Sequence, residues 1–499
     1  NRMNEELIGL DIGTTNIKAV VITLNGDLVG HASRRTPVTN TAPGSGHHDP
    51  QKLLSQIQEV LRTISEKVLP GKKPLGLAIA SMGEAGVPLD KDGNFLYPII
   101  IWHDVRPQSQ CDLMRAEFGA REAYLRTALP FNAMWTTMKL MWLRDNEPEV
   151  FAAMHKWLCI EDLAIWHLTG EFAVSQPIAC RTMAFNINQR KWDKDILAYV
   201  GVKPSLFAKA HPSGTQVGQI TPEAAAATGL PEGLPVATAG HDHLCASLAA
   251  GAVGPGFVLD SSGTTETLVM TTDAPTYAEE IIEAGYPQGC HVIADKYVLY
   301  SGIRAGAVTL EWLSGILGME VGELVAAAEK SSPGANGVFF LPHLRGGGTS
   351  NIDAASSALF YGLRDFHTRA DLARAALEGV CYELAGKLDF VMDITGLKLG
   401  QMRTVGGGSQ SPLWNQLKAD IIGLPVAVPK VREATASGAA LLAGLAVGAF
   451  PDWQTAARVI PTEKPFLPNK ELRPDYRRRL EDTYLHLYPA VRNLQAKST

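Results

Sequence analysis

At 499 residues the chain is too long for a single hydrophobic core, which predicts two domains. Hydrophobic residues make up 46% and charged residues 19%, as in a globular protein, and the net charge of -6 excludes functions built on a basic surface, nucleic-acid binding first among them. No apolar run reaches the ~20 residues of a membrane span, so no membrane partner is expected.

In chain order, Asn1-Arg2-Met3 lacks the apolar segment of a signal peptide. Glu6 to Gly30 then reads as a strand, a Gly-Thr-Thr turn, a second strand from Ile17 to Leu24, and an Asn25-Gly26 hairpin turn. Asp49-Pro50 has the N-cap and first-turn residues of a helix that continues through Leu53 to Val68. Strands are predicted at Leu75 to Ala80 and Leu96 to Trp102, and mainly helical periodicity from Ser109 to Glu171. Pro231 to Thr238 reads as a short strand leading into Gly240-His241-Asp242-His243. Phe257 to Met270 then restarts the opening pattern: Leu259-Asp260-Ser261-Ser262-Gly263-Thr264-Thr265 parallels Leu10-Asp11-Ile12-Gly13-Thr14-Thr15 with one residue inserted. Two related halves follow from this, divided near the Gly251, Gly254, Pro255, Gly256 cluster, with domains 1–248 and 249–499. The six cysteines (Cys111, Cys159, Cys180, Cys245, Cys290, Cys381) form no C-x-x-C pair, which fits reduced thiols in a cytoplasmic protein.

The chemistry-bearing residues cluster at the ends of these strands. A Gly-Thr-Thr turn brings backbone N–H groups and hydroxyls close to an anion, so Gly13, Thr14 and Thr15 in one half and Gly263, Thr264 and Thr265 in the other suit a nucleotide's phosphates. Either turn alone is equally readable as a plain polar hairpin. Asp11 stands where a carboxylate can hold a phosphate-bound Mg²⁺ through water. The chain has no G-x-x-x-x-G-K-[ST], which excludes a P-loop. Asp242 ends an apolar strand, where it could take the proton of an attacking hydroxyl or simply cap the following helix. Gly406-Gly407-Gly408-Ser409 offers a side-chain-free floor for adenosine, or only a loop with unusual dihedrals. Glu84, Trp102, Asp104 and Arg106 combine charge with an aromatic wall in a way that suits a sugar, against the alternative of a surface ion pair beside a core tryptophan.

With these residues in place, the chain resembles the FGGY family of carbohydrate kinases from about Leu7 to Phe450. Met134 to Asn146 is similar to the family's first signature; Ala358 to Leu363 with Asp371 to Glu378 is similar to its second. The resemblance implies an α/β fold of two ribonuclease-H-like (actin-like ATPase) domains with ATP and Mg²⁺ in the interdomain cleft. It implies Asp242 as general base, and Asp11 and Asp242 as metal-associated carboxylates. Gly13, Thr14, Thr15, Lys18, Gly263, Thr264, Thr265, Gly407, Gly408 and Ser409 would bind ATP. Glu84, Trp102, Asp104 and Arg106, with Asp242, would meet the substrate. Glycerol kinases carry an Arg-Glu pair, and xylulokinases a Met-His-Gly, in the stretch where this chain has Met82-Gly83-Glu84, which looks closer to fuculokinase-like members. The expected reaction is phosphorylation of a five- or six-carbon ketose. A polyol substrate, a non-kinase actin-like ATPase and a silent sugar-binding regulator are the alternatives, and a homodimer is left open.

Overall fold

The computed structural model describes residues 5–350 and 352–495. Its framework is two six-stranded sheets with the same plan. In the first, Glu5–Ile12, Asn16–Thr23 and Leu28–Arg35 form an antiparallel meander. Glu5–Ile12 also runs parallel to Lys73–Ser81, and that strand runs parallel to Pro235–His241. In the second, Phe257–Ser262, Glu266–Thr272 and Tyr297–Ile303 repeat the meander, and Gln401–Val405 and Val426–Ala427 repeat the parallel part. Each sheet gains one antiparallel edge strand, Gln216–Gln219 or Gln288–Cys290. The duplication glimpsed around Asp11 and Asp260 therefore extends to whole sheets.

Central strands are covered on both faces. Leu7, Ile8, Leu10 and Ile12 are all fully buried, which explains why apolar residues here do not simply alternate with polar ones. One cover comes from far along the chain: helix Ala434–Ala446 lies against the first sheet. A Cβ on Gly9 would stand 1.8 Å from the Ala436 carbonyl oxygen, so only glycine admits the helix this closely. The same helix crosses helix Asp242–Ala249 with equal intimacy, since a Cβ on Gly438 would stand 1.8 Å from the Cys245 carbonyl oxygen.

Locally, Asp49 caps helix Pro50–Lys67 by accepting from the N–H groups of Gln51 and Lys52 at 2.9 and 3.1 Å. The strand expected over Leu96 to Trp102 contracts to Ile99–Ile100, and Trp102 sits in the turn beyond it. The helical stretch after Ser109 is interrupted by strand Lys156–Cys159, which buries Trp157. All six cysteines are free and buried. The Cys290 N–H donates to Cys180 Sγ at 3.3 Å, joining helix Gln176–Cys180 to strand Gln288–Cys290 of the second sheet. No helix among the described residues is long and apolar enough to cross a membrane.

Candidate active site

A cleft of ≈ 440 Å³ opens where the two sheets face each other, and residues from both halves line it. Thr14 comes from the first hairpin, Gly263, Thr264 and Thr265 from the second, and Asp242 from the end of strand Pro235–His241. In the first hairpin the Gly13 N–H donates to the Asn16 carbonyl at 3.0 Å, leaving Thr14 and Thr15 exposed at the tip. In the second, the carbonyls of Gly263 and Thr264 accept from the N–H groups of Ala307 and Val308 at 3.0 and 3.3 Å. The turn is thus held from behind, with its threonines on the cleft wall.

Asp242 is the first residue of its helix, one position past the N-cap, His241. Its Oδ1 accepts from the His243 N–H at 2.7 Å and lies 3.2 Å from His241 Nε2. Burial pushes the Asp242 carboxyl up, but His243, His241, the His243 N–H and Arg181 together outweigh it and hold the group below the usual carboxylate range. His241 itself is lowered to about 3 by burial, so its charge acts on Asp242 only in acid, and its Nδ1 faces the Tyr300 hydroxyl at 3.2 Å. Arg181 is the permanent cation of the set.

Asp11 has the opposite electrostatics. Burial, then the Asp242 charge, push its carboxyl well above the usual range. The residue as a whole is only partly buried, yet its Oδ1 is closed off from solvent and has no hydrogen-bond partner. Such an orphaned oxygen beside a second carboxylate suits a hard cation. Among the described residues no cluster of three or more metal-ligating side chains exists, so a cation here would take most of its ligands from water and phosphate oxygens, which is the habit of Mg²⁺.

The other wall of the cleft includes Glu84, Trp102, Arg181 and Tyr300. Glu84 has a φ of 62°, a left-handed conformation that costs a non-glycine residue about 1–2 kcal/mol. Its carbonyl is held there by the Lys139 ammonium and the Thr136 hydroxyl, both at 3.1 Å, and Lys139 also donates to the Trp102 carbonyl at 3.1 Å. Lys139 lies within the Met134 to Asn146 signature, and these bonds show what that stretch does: it fixes the two loops carrying Glu84 and Trp102. The Glu84 side chain accepts from Arg181, whose guanidinium lies 4.8 Å from the Trp135 ring centroid and 5.4 Å from that of Tyr300. A Cβ on Gly83 would come within 3.0 Å of the Arg181 side chain, so the absent side chain at 83 is where Arg181 packs.

The remaining expected residues lie elsewhere. Asp104 and Arg106 do not line the cleft: Asp104 accepts from the Arg106 Nε and terminal nitrogen at 2.8 Å each and from the Gly46 N–H at 3.0 Å. They clamp the Gly44 to Gly46 loop, and their charges neutralise each other. Lys18 is paired with Glu433 at 2.7 Å. Gly407, Gly408 and Ser409 follow strand Gln401–Val405 and pack beside the second turn through Ser262; a Cβ on Gly408 would lie 2.0 Å from Ser262 Oγ, whereas Gly407 faces open space. Sequence reasoning missed Arg181 and Tyr300. The available signal was a lone arginine inside the apolar run Ile178 to Phe185, since a charge in such a run needs a buried partner.

Residues 7–249 match the profile of the FGGY family of carbohydrate kinases, N-terminal domain, and residues 259–447 match that of its C-terminal domain. The chain belongs to the FGGY family of carbohydrate kinases. Similar relatives include the L-fuculokinase of Escherichia coli K12, 31% identical over 89% of this chain and 93% of that protein. The xylulose kinase of the same strain is 29% identical over 98% and 100%. Among solved structures, a xylulose kinase from Rhodospirillum rubrum superposes with a TM-score of 0.90 at 29% identity, covering 98% of this chain and 100% of that one. As an FGGY member the protein is an enzyme, a carbohydrate kinase with the actin-like ATPase fold, and FGGY kinases use ATP as phosphoryl donor.

Proposed function

We propose that this FGGY enzyme transfers the γ-phosphoryl group of ATP to a hydroxyl of a five- or six-carbon ketose, with Asp242 as general base. The observation that carries the reading is the meeting of two Gly-Thr turns, one from each half, with Asp242 in one cleft. Thr14 on one side and Gly263, Thr264 and Thr265 on the other would grip the phosphates, and Gly407 and Gly408 would receive the adenosine. Asp11 and Asp242 would hold Mg²⁺, which when bound neutralises charge on the phosphates. Asp242, ionised at neutral pH, accepts the proton of the attacking hydroxyl as its oxygen bonds to phosphorus and the bond to ADP breaks. Glu84, Arg181 and Trp102 would orient the sugar. With Arg181 already matched by Glu84, the described residues of that wall carry no unpaired permanent cation, which favours a neutral sugar over an aldonate. The linker glycines Gly251, Gly254 and Gly256, with φ of 62°, 85° and 87°, suit a hinge whose closure excludes water.

The relatives' names, L-fuculokinase and xylulose kinase, put ketoses first. A polyol is the second reading: this chain has Gly83-Glu84 where glycerol kinases carry adjacent Arg-Glu, but Arg181, from 97 residues away, packs over Gly83 and pairs with Glu84. The test is ADP release by purified enzyme with ketoses, polyols, aldoses and aldonates, with and without a chelator. Release that depends on a ketose and on a divalent cation is expected, and Arg181→Met should raise the sugar KM at least about tenfold with the ATP KM little changed. ADP release that needs no acceptor at all would remove the reading.

A further inference from the structure

The second phosphate turn rests on a fully buried ionic cluster. Lys418, in helix Pro412–Ile422, directs its ammonium at Asp260 Oδ2, at Glu266 Oε2 at 3.0 Å and at Ser262 Oγ at 3.2 Å. All three charged side chains have zero exposure. Asp260 and Ser262 end the strand that enters the Gly263–Thr265 turn, and Glu266 begins the strand that leaves it. The ammonium therefore binds both legs of the hairpin at its base, and its three donors are all used. Thr404 also donates to Asp260 Oδ2 at 3.1 Å, tying in the strand that leads to the glycine loop. That loop, Gly406 to Ser411, runs directly into the helix carrying Lys418 and rests on Ser262, the residue Lys418 holds.

We propose that Lys418 is a positioning residue for the nucleotide: it fixes the distance between the phosphate turn Gly263–Thr265 and the adenosine loop Gly406–Ser411, and through that distance the affinity for ATP and ADP. The duplication gives the cluster its meaning. A one-residue offset separates the halves: Asp11 stands one residue before the last pair of its hairpin and Asp260 two before, so Asp260 points to the opposite face of its sheet and Ser261 takes the cleft-lining register. Asp11 has an unpartnered oxygen and feels the Asp242 charge, whereas Asp260 is bound by a lysine of its own chain. The first half thus leaves its strand-end carboxylate free for a cation from solution, and the second uses an internal ammonium to build rigid support. Burial, then the Asp260 charge, push the Glu266 carboxyl well up and Lys418 opposes them, so the one ammonium serves two crowded carboxyl groups.

The proposal rests on nucleotide binding at this cleft, and its test separates the two. Mg²⁺–ADP is titrated calorimetrically into wild type, Lys418→Met, and the double variant Lys418→Met with Asp260→Asn, which removes the ammonium together with its nearest carboxylate. Both variants are expected to bind ADP about tenfold or more weakly, because a phosphate grip misplaced by ~1 Å loses one to two orders of magnitude. The sugar KM should stay within about twofold and the double variant should melt like wild type. A folded variant that binds ADP within about twofold of wild type, or sugar and ADP affinities that fall in parallel, overturns the proposal. Failure of the double variant to fold assigns Lys418 to core stability alone and also overturns it. Wild type that binds no ADP removes the kinase reading and this proposal with it.

Discussion

Asp242→Asn is expected to lower kcat by about 10³-fold or more while leaving Mg²⁺–ADP affinity within about threefold. Asparagine keeps the shape and can still accept the His243 N–H now bonded at 2.7 Å, so the helix start and the fold are preserved. What it loses is a proton-accepting oxygen. General-base removal costs about 10²–10⁴-fold, and the upper part of that range applies here because the other carboxylate, Asp11, is assigned to the cation and is not free to take the proton. Nucleotide binding is spread over two threonine turns and a glycine loop, so it should survive. Steady-state kinetics with calorimetry of ADP binding gives both numbers. Turnover above about a tenth of wild type would remove Asp242 from proton transfer.

Gly438→Ala should destabilise the enzyme by about 3 kcal/mol or more, although alanine is the better helix former by about 1 kcal/mol. The new methyl would lie 1.8 Å from the Cys245 carbonyl oxygen and 2.4 Å from its carbon, and backbone atoms cannot rotate aside. Helices Asp242–Ala249 and Ala434–Ala446 would be forced apart, and the first of them carries Asp242, so activity should fall with stability. Gly315→Ala is the control. It lies within helix Ala307–Leu317 with nothing within 4 Å of the added carbon, so only the propensity gain applies and the melting temperature should hold or rise. Equal behaviour of the two variants in thermal unfolding would show that the close crossing does not matter.

Much of the site was legible because it is local. Asp-Ile-Gly-Thr-Thr and Ser-Ser-Gly-Thr-Thr carry their turn chemistry within a few residues, and Asp242 stands at the end of a short apolar strand. Residues that reach the cleft by tertiary packing left weaker traces. Arg181 meets Glu84 from 97 positions away, and Tyr300 meets His241 across 59. The Asp104 and Arg106 spacing misled for the complementary reason: charges two residues apart can satisfy each other, and the Gly46 N–H that completes the clamp is 58 positions distant. Lys418 reads in sequence as an ordinary helix lysine, because its partners Asp260 and Glu266 lie more than 150 residues earlier. In sequence the strand pattern runs through Ile99, Ile100 and Ile101 up to Trp102, though the pairing ends at Ile100.

The contact of Cys290 with Cys180 is a seam between the halves, since one sulfur belongs to a helix preceding Asp242 and the other to an edge strand of the second sheet. A cleft that gapes to let product out is expected to part that seam and bring two shielded thiols to solvent. A thiol-labelling reagent then acts as a clock for gaping, ticking slowly when sugar and nucleotide together hold the jaws shut and quickly without them. Cys381, sealed inside a core cluster that holds neither seam thiol, should stay dark throughout and mark any labelling that comes from unfolding instead.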